Sequence, residues 1–341
     1  MAEPFDPIPE PMLAKPVAQV PDDANLSFEP KWDGFRAIVA VSPNGAVEIG
    51  SRGSKPLTRY FPELVAAFEK QLPPGTVVDG EIVVRQPTAG GERLDWEHLS
   101  QRIHPADSRV QKLAVETPAS FVGFDLLARD GKSLMAASFA ERRGALEAVL
   151  ASVESPVHLS QTTMDAAVAR RWLVEFEGAG LDGVIAKPLD SVYQPGKRTM
   201  LKIKHSRTAD VVLIAYRIHK SGQGVGSLLL GLYTEAGELV PVGGASAFTN
   251  AKRLELIDEL APLVTGTAEG ERSRFSGSKD VSMVTLRPER VLEVKYDQLE
   301  GWRFRHTVQF VRWRDDRDPL SCTYDQLETP TSYDLSQVLA G

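Results

Sequence analysis

The chain has 341 residues, 42% hydrophobic and 25% charged, with a formal net charge of −7. This is the composition of a globular protein with enough chain for two cores, and it excludes a generally basic nucleic-acid binder while leaving room for a local basic track. The single cysteine, Cys322, excludes an intrachain disulfide and a Cys-based zinc cluster; with no membrane-length apolar run and no secretory apolar core at the N-terminus, a cytoplasmic location is expected.

Residues 1–25 read as an extended lead-in broken by prolines. From Phe28 the pattern is a strand, a turn at Gly34, a strand over 35–42, a hairpin turn at Pro43-Asn44-Gly45 and a return strand over 46–51. Phe61, Leu64, Val65 and Phe68 recur at helical spacing over 60–70. A β-rich run over 77–84 carries Asp79, Gly80 and Glu81 in its middle, where carboxylates are costly to bury without partners. Residues 87–92 read as a flexible loop and 95–102 as a short helix. A buried strand follows at 121–127, then amphipathic helices over 139–150 and 165–178, and a turn entering an apolar strand at 181–187.

Beyond residue 209 the texture changes. Short strands over 211–218, 227–234, 238–243, 291–295 and 305–314, with one helix over 250–263, point to a small barrel of the OB type. The boundary is expected at 207/208, giving domains 1–207 and 208–341, with the last dozen residues loosely held. The overall class is α+β.

Two stretches stand out chemically. In Glu29-Pro30-Lys31-Trp32-Asp33-Gly34-Phe35-Arg36, a lysine sits at a turn between two aromatic walls and several charges. A lysine is nucleophilic only without its proton, and removing that proton at pH 7 costs about 4–5 kcal/mol unless burial and neighbouring cations lower it. Taken alone, this is most simply a surface lysine in a hairpin turn. The second stretch, 191–208, contains Lys197, Arg198, Lys202, Lys204 and Arg207 and no acid at all. The alternation Leu201-Lys202-Ile203-Lys204 sends both lysines to one face of a strand.

The order of these stretches carries more than any one of them. KWDGFR at 31–36, SRG at 51–53, DGE at 79–81, FDLL at 124–127, DGVIAK at 182–187 and LKIK at 201–204 follow in sequence, and Arg312-Trp313-Arg314-Asp315-Asp316-Arg317 closes the series. This series resembles the nucleotidyltransferase motifs of ATP-dependent DNA ligases, a superfamily shared with RNA ligases and capping enzymes. The two-domain layout resembles the small bacterial ligase C type. The resemblance implies an ATP-grasp-like adenylation domain of antiparallel sheets and helices followed by an OB-fold barrel. It implies ATP as cofactor, AMP carried on Lys31, and Lys202 and Lys204 at the α-phosphate. It further implies Phe124 stacked on adenine, Glu29 reading the adenine edge, and Arg36, Arg52, Glu81 and Lys187 on the nucleotide or nick. Glu81 and Asp182 become the candidates for Mg2+ or Mn2+, and Arg314 and Arg317 for the leaving pyrophosphate. The family usually has Glu at the position of Asp182, and Lys where this chain has Arg317. Nicked duplex DNA is the implied partner, with base-excision repair beside a primase-polymerase as the implied setting, a monomer as the expected state and 204–210 as the hinge for a swinging barrel.

Competing readings stand beside these. Phe124 on its own reads as core, and Trp302 and Trp313, set among arginines, fit base stacking and barrel packing equally. Gly131-Lys132-Ser133 lacks the upstream glycine of a P-loop, and the six histidines show no metal-ligand spacing. An RNA ligase or capping-type enzyme is the rival within the fold. A nick-binding scaffold without catalysis is the rival outside it, and the joint presence of Lys31, Glu81, Lys202 and Lys204 argues against it.

Overall fold

The structure is a computed structural model that describes residues 8–53, 55–269 and 282–339. The first seven residues of the expected lead-in lie outside it. The chain forms two units. Among the described residues, one holds those up to Lys204 together with 330–339, and the other holds those between 205 and 329.

The first unit is built on two sheets. In the larger, Val47–Ser51, Phe35–Val41, Thr76–Thr88 and Ala119–Arg129 lie side by side and antiparallel, and Val157–Leu159 joins Ala119–Arg129 in parallel. In the smaller, Arg198–Ile203 and Val184–Pro188 lie between edge strands Leu13–Pro16 and Leu26–Pro30. The apolar runs explain the layering. Phe61, Leu64 and Phe68 on the helix side and Val39, Val78, Ile82 and Phe121 on the sheet side are almost wholly buried in one cluster. Each large apolar side chain buried in this way contributes about 1.5–3 kcal/mol. The helix Phe139–Val149 packs on Ala119–Arg129 and starts on a capping box between Ser138 and Glu141.

Residues 31–34 carry the chain from the smaller sheet to the larger one. Gly34 is required there, because a Cβ would fall 2.1 Å from the carbonyl oxygen of Ile82. Gly183, which faces Lys31 just before the strand Val184–Pro188, has φ +133° and would bring a Cβ 2.0 Å from the carbonyl oxygen of Ile203.

The second unit is a seven-stranded antiparallel sheet with the helix Asn250–Leu260, in keeping with an OB-type barrel. Its long strand Arg207–Ile218 pairs with Val291–Tyr296 in its first half and with Ser282–Leu286 in its second. A register shift between Leu213 and Ala215, on the side facing Val225–Tyr233, marks the bend.

Several expectations need correction. Residues 87–92 are a hairpin rather than a loop: Thr76–Thr88 continues and Gly91–Leu94 returns, fastened by Arg85 and Glu92 at 3.0 Å. The helix Asp107–Glu116 was not foreseen; it has no side-chain cap and buries only Val110 and Leu113. The strands Val264–Glu269 and Ser282–Leu286 were also unforeseen. The chain passes between units at 204/205 rather than 207/208, and it passes back at 329/330. Residues 330–339 are therefore neither part of the barrel nor loosely held, since Leu335 and Val338 are buried in the first unit, and the last two residues lie outside the described ones.

Candidate active site

Lys31 stands at the junction of the two sheets. Its N–H donates to Gly183 O and its carbonyl accepts from Asp182 N, each at 2.9 Å, so the backbone ladder runs one step past the strand Leu26–Pro30. This places the Lys31 ammonium on the carboxylate of Asp182, where Nζ donates to Oδ2. The other oxygen, Oδ1, meets Lys204 Nζ at 2.8 Å. Burial pushes the Asp182 carboxyl up, but Lys31 and Lys204 more than offset it and hold it below its ordinary value. Lys202 lies opposite Ile185 on the adjacent strand. Partial burial and repulsion from Lys31 and Lys204 lower its ammonium. A carboxylate held by two lysines, with a third on the adjacent strand, leaves a surplus of positive charge, which is the electrostatics of an anion site.

A cleft of about 720 Å³ opens beside Lys31, lined among others by Arg36, Arg52, Lys55, Tyr60 and Glu81. Arg52 is exposed. Arg36 is fixed from below, with Nη2 donating to Asp79 Oδ2 at 2.6 Å and Nε donating to Oδ1. Tyr193 Oη donates to the same Oδ2 at 2.6 Å and accepts from Met12 N at 3.0 Å. Glu81 lies opposite Arg36 in the sheet. Burial pushes its carboxyl up to about 7, against the pull of Arg36 and Lys31.

A second group joins this one through Arg36. Phe124 is 5% exposed, with the Arg36 guanidinium 4.5 Å and the Lys187 ammonium 4.6 Å from its ring centroid. Lys187 pairs with Glu29 Oε1 at 2.8 Å and donates to Phe124 O at 3.2 Å. Glu29 is 3% exposed, its carboxyl is raised by burial, and its Oε2 makes no hydrogen bond. A buried acceptor left in this state calls for an N–H donor. Beside Phe124, Asp125 holds Arg142 by both oxygens at 2.7 and 3.0 Å.

The structure thus brings together Lys31, Lys202, Lys204, Asp182, Arg36 and Glu81, and places Arg52 on the same cleft. Glu29, Lys187 and Phe124 form the adjoining group. Arg314 and Arg317 belong to the other unit, where both engage Asp210, Arg314 Nη1 at 3.0 Å from each oxygen and Arg317 Nε at 3.7 Å. Asp182, expected at a metal, has both oxygens engaged by ammonium groups. Asp79 and Tyr193 were missed as site residues. An acid inside an apolar strand signalled the first, but nothing in the spacing signalled the second.

Comparison with known proteins gives a consistent picture. Residues 11–204 match the family described as ATP dependent DNA ligase domain, and residues 221–317 match the ATP dependent DNA ligase C terminal region. The chain is 53% identical to DNA ligase C1 of Mycolicibacterium smegmatis, over 98% of both proteins. It is 52% identical to DNA ligase C of Mycobacterium tuberculosis, over 100% of this chain and 99% of that protein. Among solved structures, that of a Lig E DNA ligase superposes with a TM-score of 0.57 at 17% identity, covering 90% of this chain and 100% of the other, a likeness of fold.

Proposed function

The chain belongs to the ATP-dependent DNA ligase family, and from that premise we propose that it seals nicks in duplex DNA through AMP carried on Lys31. The observation that carries this reading is the Asp182 carboxylate shared by Lys31 and Lys204, with Lys202 on the adjacent strand. Asp182 orients the Lys31 amine, and Lys202 and Lys204 meet the α-phosphate of ATP. Lys31 Nζ bonds to the α-phosphorus, the bond to the bridging oxygen breaks, and pyrophosphate leaves with that electron pair. The nitrogen gives up its protons to Asp182 or solvent. Such a transfer depends on positioning and on fixed positive charge around the phosphoryl oxygens. AMP then passes to the 5′-phosphate at the nick, and the 3′-hydroxyl displaces it.

Glu29 Oε2 accepts from the exocyclic amine of adenine, and Phe124 stacks on the base once Arg36 or Lys187 yields a ring face. Arg52 and Lys187 contact the nucleotide or the nick. Glu81 fits a divalent cation, because it is a half-buried carboxylate on the cleft whose burial penalty outweighs the pull of Arg36 and Lys31. Bound there, Mg2+ or Mn2+ would neutralise phosphate charge. Asp182, already shared by two lysines, fits that role less well. Arg314 and Arg317 escort pyrophosphate when Asp210 releases them.

Incubation with α-labelled ATP and a divalent cation tests this directly. Wild-type protein takes up label covalently and Lys31→Ala does not; label on Lys31→Ala would overturn the assignment.

A further inference from the structure

The residues that follow the barrel return to complete the core behind the ATP site. The Thr331 carbonyl lies so close to Gly178 that a Cβ there would come within 1.9 Å. Glu92 N donates to Asp334 Oδ1 at 2.9 Å and Gln161 Nε2 to Val338 O at 3.1 Å. The Tyr333 ring lies 5.1 Å from that of Phe176. Leu335 and Val338, 0% and 1% exposed, share one apolar cluster with Trp32 and Phe124. Trp32 follows the nucleophile directly, and Ser160 Oγ accepts its indole N–H at 2.9 Å. Removing bulk at Leu335 or Val338 would leave a void in the cluster that also holds Trp32 and Phe124, and neighbouring side chains relax only partly into such voids.

We propose that residues 330–339 form a strap that is a lasting part of the ATP site. Leu335 and Val338 position Trp32 and Phe124, and the strap stays docked throughout the reaction cycle. The barrel unit is then an insertion joined to the first unit at two points, 204/205 and 329/330, and moves on a pair of connections rather than on the single hinge at 204–210. This rests on the reading of Lys31 and Phe124 as the adenylation site.

Two full-length experiments test it. A Cβ on Gly90 would stand 3.5 Å from Ser332 Cβ, within the range of a disulfide, and the one native cysteine, Cys322, is buried in the barrel. Gly90→Cys/Ser332→Cys, oxidised, is expected to form lysine–AMP and seal nicked DNA within about twofold of its reduced form. A tenfold or greater loss of sealing on oxidation, recovered with reductant, would show that the strap must leave and overturn the proposal. In the second experiment, Leu335→Ala and Val338→Ala raise the KM for ATP in label formation at least fivefold with a smaller change in kcat, and Leu335→Met stays near wild type. Folded alanine variants, checked by their thermal transition, with wild-type KM would overturn the positioning role. Should an alanine variant not fold, the disulfide result decides alone. Failure of wild-type protein to take up label would instead refute the reading of Lys31.

Discussion

Lys31 is held by Asp182, 151 residues further along the chain, and the same carboxylate holds Lys204. Its charge and its reach therefore both matter. Asp182→Asn keeps the shape and removes the charge that orients Lys31, so lysine–AMP formation should fall on the order of 10²-fold, the scale of a misplaced reacting group. Asp182→Glu restores the charge one methylene further out and should retain most of the rate. Rapid-quench labelling with ATP separates the two, and an Asp182→Asn rate equal to wild type would dismiss the orienting role.

Tyr193 anchors Arg36 indirectly through Asp79. Tyr193→Phe removes one hydrogen bond to a buried carboxylate that Arg36 still grips twice. A hydrogen bond to a charged group is worth about 1.5–3 kcal/mol. The denaturation midpoint should drop accordingly, and the KM for ATP should rise as Arg36 loosens over Phe124. A variant with both quantities at wild-type values would show that Arg36 needs no such support.

Much of this site is legible in the sequence because its chemistry is local. Lys31 sits at a turn, and the alternation over 201–204 puts Lys202 and Lys204 on one strand face without knowledge of their partners. The Arg36–Asp79 contact is not legible in that way. It depends on the register that sets Arg36 opposite Glu81 and Ile38 opposite Asp79, a tertiary choice that no single segment encodes. Phe124 on its own reads as core, with only the order of the motifs pointing to stacking, and the structure shows a ring both buried and flanked by two cations. The strap is invisible for another reason: Leu335 and Val338 are two apolar residues in a five-residue helix, too short for periodicity to register.

Glu29 and Lys187 form a pair almost wholly shielded from water. Glu29→Ala would strand the Lys187 ammonium between Phe124 and Phe139. Breaking a buried pair from one side costs about 3–5 kcal/mol. Lys187→Met added to Glu29→Ala should recover part of that loss, since the stranded charge is gone. Urea denaturation of the single and double variants measures the coupling, and strictly additive losses would contradict it.

His158 gives the fold a dependence on pH. It lies on the strand Val157–Leu159 opposite Val122, with no hydrogen bond at Nε2. Burial, aided by Arg85, pushes its imidazolium down to about 4 from an ordinary 6.5. Between these values the unfolded chain binds a proton that the folded chain refuses, so stability increases with pH across that window. The contribution is complete above pH 6.5 and is lost as pH falls toward 4. At 1.36 kcal/mol per pKa unit, and discounted because the ring is partly exposed, the loss is about 2 kcal/mol. His158→Gln should flatten the denaturation midpoint between pH 6.5 and 4 relative to wild type, and a variant with the same slope would place the titrating group elsewhere.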